Sequence, residues 1–167
     1  NRCSVPLIEI VTEPDMHSAE EAVEFVSKIG LYLKYLNVCD AKMQEGSIRA
    51  DVNISIKEKG SEKLGNRTEI KNLNSFRSIQ RAIEYEVKRQ SEILDNGATV
   101  VQETRKFDDT MGTTSSMRSK ENAQDYRYFP EPDLVAIRLS DEYIENIKNS
   151  LPEMPESRRE RYLNEYG

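Results

Sequence analysis

Ser47-Ile-Arg-Ala-Asp-Val-Asn-Ile-Ser-Ile56 alternates without a break, with Ile48, Ala50, Val52, Ile54 and Ile56 on one phase and Ser47, Arg49, Asp51, Asn53 and Ser55 on the other. Successive side chains of a strand point to opposite faces, so this stretch reads as a strand with one apolar and one polar face. The polar set is unusual for a solvated surface, since an Arg, an Asp and an Asn follow one another where Lys, Glu and Thr are ordinary. Lys57 to Gly65 is a Gly-bounded connection suited to a hairpin. The partner, Arg67 to Leu73, carries Glu69 and Lys71 on one side and Thr68, Ile70 and Asn72 on the other. Paired antiparallel, the two strands would line one face with Arg49, Asp51, Asn53, Glu69 and Lys71. The plain alternative is a cross-strand ion-pair ladder on a wet sheet, each pair worth about 0.2–1 kcal/mol.

Around this hairpin the chain alternates sheet and helix signals. Val5 to Val11 is an apolar, strand-like run interrupted by Glu9. An ionised carboxylate in a buried strand is costly unless paired, so Glu9 belongs on a wet face or on a cation. Ser18-Ala-Glu-Glu21 is a capping box, and Ala22, Val26, Ile29, Leu33 and Leu36 recur at helical spacing to about Asn37. Asn74-Ser75 caps a long helix with an inner stripe of Phe76, Ile79, Ile83, Val87 and Leu94, closed by Asn96-Gly97. Thr99 to Phe107 and Thr113 to Ser119 read as a second hairpin, and Leu134 to Leu139 as a short strand. Between them Asp125-Tyr-Arg-Tyr-Phe-Pro-Glu-Pro-Asp133 is expected to be an ordered, extended crossing, because its prolines exclude helix and its aromatics want cover. Ser140 caps a helix to about Asn149, and Pro152 and Pro155 precede a last one. The fold class is α+β, a mainly antiparallel sheet with covering helices.

Composition bounds the function. Thirty acidic against 24 basic residues give a net charge of −6, the wrong sign for a bulk grip on a phosphate backbone. No apolar run approaches the roughly 20 residues of a membrane-spanning helix. The two cysteines, Cys3 and Cys39, match no metal or redox spacing and suit a reducing compartment. The lone histidine, His17, precedes a helix cap and reads as a surface residue. The start, Asn1-Arg-Cys-Ser, has neither an initiator Met nor a signal segment, so the chain reads as a piece excised from a longer protein. Residues 1–151 are expected to form part of one domain, with 152–167 a linker and the start of a following helical one.

Five strings in order carry a resemblance that covers nearly all 167 residues. They are Val5-Pro-Leu-Ile-Glu-Ile-Val-Thr-Glu-Pro-Asp15, Glu45-Gly-Ser-Ile-Arg-Ala-Asp-Val-Asn53, Thr68-Glu-Ile-Lys-Asn-Leu-Asn-Ser-Phe76, Gln102-Glu-Thr-Arg105 and the Asp125–Asp133 crossing. In these the chain resembles the B subunit of the tRNA-dependent aspartyl/glutamyl amidotransferases. It departs from the family pattern at Cys3-Ser4 and at Ala50, neither of which bears polar chemistry.

The resemblance implies a curved sheet of the glutamine synthetase type within the catalytic domain. It implies a ligase that uses ATP and Mg²⁺ to phosphorylate the side-chain carboxylate of Glu-tRNA(Gln) or Asp-tRNA(Asn). Ammonia from a glutaminase (amidase) subunit then completes the amide, in a cytoplasmic heterotrimer with a small third subunit and no membrane. Phosphoryl transfer to a carboxylate needs hard oxygen ligands for the metal and cations for the phosphoryl group. On that basis Glu9, Glu45 and Asp51 would contribute to the metal site. Arg49 and Lys71 would face phosphate oxygens, Asn53 and Glu69 would orient a metal water or the incoming amine, and Arg118, Arg127 and Tyr128 would line the rim near nucleotide or the tRNA 3′ end. The family's remaining metal ligands come from upstream strings, so the isolated piece is expected to be inactive. The competing expectation is a non-catalytic RNA-binding or scaffold module, which would not explain acids and cations grouped on one strand face.

Overall fold

The computed structural model describes residues 6–119 and 132–167 of the chain. The alternating stretch forms β1 (Ala50–Ile54), shorter at both ends than its pattern, and it pairs antiparallel with β2 (Thr68–Leu73). Gly65 closes the connection between them where an added Cβ would lie 2.2 Å from the carbonyl oxygen of Ile56, so only a residue without a side chain fits. The hairpin is not a plain two-residue alternation throughout. Asn72 takes a left-handed φ of 69°, which slips the register between Ala50 and Val52. Leu73 rather than Asn72 therefore returns to the core, and Asn72 donates from Nδ2 to the carbonyl of Phe107 at 3.1 Å.

Helix α2 (Phe76–Asp95) follows β2 directly, its N-terminus capped by Ser75, whose hydroxyl accepts from Ser78 N–H at 3.0 Å. The helix carries the chain back to the end at which β2 began, so β3 (Glu103–Asp108) runs parallel to β2. β3 then turns antiparallel into β4 (Thr113–Ser119), and the sheet order is β1-β2-β3-β4. The sheet is thus mixed, and the expectation of a mainly antiparallel sheet is corrected at its central pair. The two expected hairpins form, and the long helix between β2 and β3 is the kind of crossover that parallel neighbours require.

Helix α1 (Ala19–Tyr35) starts at Ser18, whose hydroxyl accepts from Glu21 N–H at 3.1 Å, and packs along α2. Both helices share one core with the sheet: Ala19, Met43, Ile70, Leu73, Ile79, Ala82, Ile83 and Phe107, with Ile48, Ala50, Val52 and Ile54 packed against it. The inner face of α2 differs from the expected stripe. Phe76, Val87 and Leu94 are about 40% exposed, while Ser78, Ala82, Glu86 and Gln90 are buried with Ile79 and Ile83. Helices α3 (Asp141–Ser150) and α4 (Pro155–Tyr166) complete the fold, Pro155 occupying the first helical turn, where its missing N–H is tolerated.

The apolar runs at 6–11 and 134–139 are not strands. Leu7, Ile8, Val11, Leu134, Val135 and Ile137 are all exposed, and among the described residues no strand pairs with either run. The expected Asp125–Asp133 crossing lies outside the described residues except for its last two positions.

Candidate functional site

The face of the sheet away from α2 carries the polar constellation. Asn53 stands directly opposite Glu69, and Glu69 stands beside Thr104 in the parallel pair. One step along, Lys71 Nζ lies 2.7 Å from Asp51 Oδ2 and 3.1 Å from Glu69 Oε1, a cation held by carboxylates of two strands. The Asp51 hydrogen bond, with that of Glu69, keeps the Lys71 ammonium above its ordinary pKa against the opposing effect of burial. Lys106 is the neighbour of Lys71 on β3 and adds a second positive charge to the row. The arrangement is a fixed ammonium flanked by carboxylates, with a second cation beside it on β3.

Other expected site residues fall elsewhere. Arg49 precedes β1, and its guanidinium lies beside the Gly46 turn, with Nη2 3.9 Å from where a Cβ would stand there. Glu45 sits in the same turn and pairs with Lys42 at 2.9 Å. Glu9 is exposed in the extended N-terminal run. Arg118 is in register with Thr104 on β4, but its side chain, like residues 127 and 128 altogether, lies outside the described residues. Among the described residues no three His, Cys, Asp or Glu side chains gather as a metal-holding group. Glu9, Glu45 and Asp51 are therefore not gathered as such a group: Asp51 lies in β1, Glu45 in a turn and Glu9 in an unpaired segment.

Two features escaped the pattern. Thr104 is 1% exposed and donates its hydroxyl to Glu69 Oε2 at 2.8 Å. Its only sequence signal is its place in Gln102-Glu-Thr-Arg105. Behind the sheet, Glu86 is fully buried against two arginines, Arg89 at 2.8 Å and Arg105 at 3.2 Å, and accepts from the Thr114 hydroxyl and from Gln90 Nε2 at 3.2 Å. Burial pushes the Glu86 carboxyl up, but the Arg89 and Thr114 hydrogen bonds outweigh it and leave its pKa below the ordinary value. Arg105 also donates to Glu103 at 2.5 Å and to the Thr114 carbonyl at 2.9 Å, so β3, β4 and α2 are knotted through one guanidinium. A carboxylate amid apolar helix positions reads in sequence as a surface residue; Arg89 and Gln90 are helical neighbours, but Arg105 and Thr114 come from β3 and β4.

Among known families, the model of the GatB/GatE catalytic domain matches residues 1–145. The chain is 60% identical over all 167 residues to a protein of Caldicellulosiruptor saccharolyticus named as the B subunit of an aspartyl/glutamyl-tRNA(Asn/Gln) amidotransferase, of which it covers 35%. Proteins of the same name from Thermoanaerobacter sp. and Thioalkalivibrio sulfidiphilus are 56% and 53% identical, again over the whole chain and 35% of their own length. The chain thus spans about a third of the curated relatives it matches.

Proposed function

The chain belongs to the GatB/GatE catalytic-domain family, and on that premise we propose that it is part of the subunit of an aminoacyl-tRNA amidotransferase that activates and amidates the aminoacyl side chain. The observation that supports this most is identity of 53–60% along the full chain to proteins carrying that name. The substrates are Glu-tRNA(Gln) or Asp-tRNA(Asn), ATP with its Mg²⁺, and ammonia. The partners are a glutaminase subunit and a small third subunit in the cytoplasm. The γ-phosphoryl group of ATP passes to the side-chain carboxylate, giving an acyl phosphate and ADP. Ammonia then adds at the acyl carbon, the C–O bond to phosphate breaks, and amide, phosphate and a proton are released.

On the sheet face, the Lys71 ammonium meets the charge of the phosphoryl group, and Asp51 and Glu69 hold it in place. Asn53 and Glu69, opposite one another, orient the amine, with Glu69 positioned to take its proton. Arg49 offsets the acidic surroundings, and Arg118, Arg127 and Tyr128 belong to the rim that meets nucleotide and the tRNA end. Among the described residues the carboxylates do not make a magnesium site by themselves, since Asp51 and Glu69 are engaged by Lys71 and Glu45 by Lys42. Residues 1–151 belong to the catalytic domain and 152–167 open the next.

The test is to assay the half-reactions separately in the full complex carrying Lys71→Met. Aminoacyl-tRNA-dependent ATP cleavage should fall by about 10²–10³, the cost of losing one preorganised electrostatic donor. Glutamine hydrolysis should persist. Unchanged ATP cleavage would remove the polar face from the reaction.

A further inference from the structure

The polar row of the sheet lies between two irregularities. On one side the left-handed Asn72 breaks the β1–β2 register. On the other, β4 carries one residue more than β3 between the pairs Thr104↔Arg118 and Arg105↔Ser116, so Met117 is extra. Bulges of this kind bend a strand and re-aim the side chains beside them. Here the extra residue sets Arg118, not Met117, in register with Thr104, and completes the row Asn53–Glu69–Thr104–Arg118 across all four strands.

We propose that Thr104, the neighbour on β3 of an Arg105 locked to the buried Glu86, is a positioning residue that holds the Glu69 carboxylate in one rotamer toward the reacting groups. This rests on the reading that Glu69 belongs to the working face. Two neighbours on β3 act on opposite sides of the sheet. Thr104 bonds Glu69 on the polar side, and Arg105 is locked to Glu86, Thr114 and Glu103 on the helix side. A carboxylate on a long side chain has several rotamers and two equivalent oxygens. Lys71 engages Oε1 and Thr104 engages Oε2, so each oxygen has its own anchor among the described residues. Lys71 is itself shared with Asp51 and so cannot define the Glu69 rotamer alone. The hydroxyl of a 1%-exposed threonine, fixed in the middle of the sheet, supplies Oε2 with a rigid reference.

A purely structural threonine and a positioning one predict opposite results. Thr104→Val is nearly isosteric and suits a strand, and Glu69 is 16% exposed and can take a water in exchange. In the full-length subunit within its complex, Thr104→Val should keep its melting temperature. Its kcat for aminoacyl-tRNA-dependent ATP cleavage should fall by about 10- to 100-fold, as for other groups that orient a working residue, with KM for the tRNA unchanged. Thr104→Ser, which restores the hydroxyl, should recover most of the rate. Crystal structures of the full-length chain should show Glu69 in one rotamer in wild type and Thr104→Ser, and spread or displaced in Thr104→Val. Should the valine variant unfold, Thr104→Ala carries the same expectations. A valine variant with wild-type kcat, or a serine variant as slow as valine, overturns the proposal. If wild type itself shows no tRNA-dependent ATP cleavage, the functional reading falls, and the structures decide alone: an unmoved Glu69 in Thr104→Val overturns the proposal.

Discussion

Glu86 is the one charged residue that is buried among the described residues. It is fully buried, and what makes this tolerable is the pair of guanidiniums, Arg89 and Arg105, with the Thr114 hydroxyl. Replacing one member of such a cluster leaves the others buried and uncompensated, so Glu86→Gln should destabilise the full-length subunit by about 3–5 kcal/mol in urea titrations at neutral pH. The carboxyl is held below its ordinary pKa, so its contribution is complete above that ordinary value and is lost as pH falls through the depressed one. The wild-type advantage over Glu86→Gln should therefore shrink below about pH 4. A difference that grows in acid would show that the native state holds Glu86 protonated. Gly65 is a second single-residue constraint. Gly65→Ala places a methyl 2.2 Å from a backbone oxygen that cannot swing away, and the same titration should show a loss of about 1–3 kcal/mol.

At the scale of elements, the junction of α4 with α1 is made of polar contacts at one end of each helix. The Tyr32 hydroxyl donates to Glu156 at 2.6 Å, Lys28 lies 3.0 Å from the same oxygen, and the Arg158 guanidinium stacks 5.3 Å from the Tyr35 ring. The Tyr32 and Lys28 hydrogen bonds hold the Glu156 pKa at about 2. A depressed carboxylate keeps its partners until the pH falls to its own value, so this junction should survive ordinary acid. Glu156→Gln should release α4, seen as faster amide hydrogen exchange in α4 with the sheet amides unchanged. Equal protection in the two proteins would mean that the helix is held otherwise. The sheet shows the converse: α2 is long, capped at Ser75 and closed before a left-handed Gly97, yet its consequence is topological, since it makes β3 parallel to β2.

Over the whole molecule, the polar sheet face proposed as part of a site stands apart from the carboxylates Glu9 and Glu45. The 167-residue chain alone should show no tRNA-dependent ATP cleavage. In the complete complex Glu9 would join the upstream metal ligands that the family resemblance implies, so Glu9→Gln should slow that cleavage by orders of magnitude while sparing glutamine hydrolysis; near-normal cleavage would take Glu9 out of the site, and loss of both would indicate a broken fold or interface. What the residues announce unaided is local. The alternation of 47–56 and the caps at Ser18, Ser75 and Ser140 depend on neighbours within a few positions; each cap sits where its pattern places it, and the alternation yields a strand over its middle, Ala50–Ile54. Strand pairing is a property of two segments, so the equally apolar runs at 6–11 and 134–139 could not be told from strands by their own residues. The same holds for the site: Asp51, Asn53, Glu69 and Lys71 were visible because each lies in an alternating strand, whereas Thr104 and Glu86 take their meaning from partners 35 and 28 residues away. Periodicity reports which face a side chain occupies. Only the folded chain, through two register slips and a helical crossover, determines what it finds there.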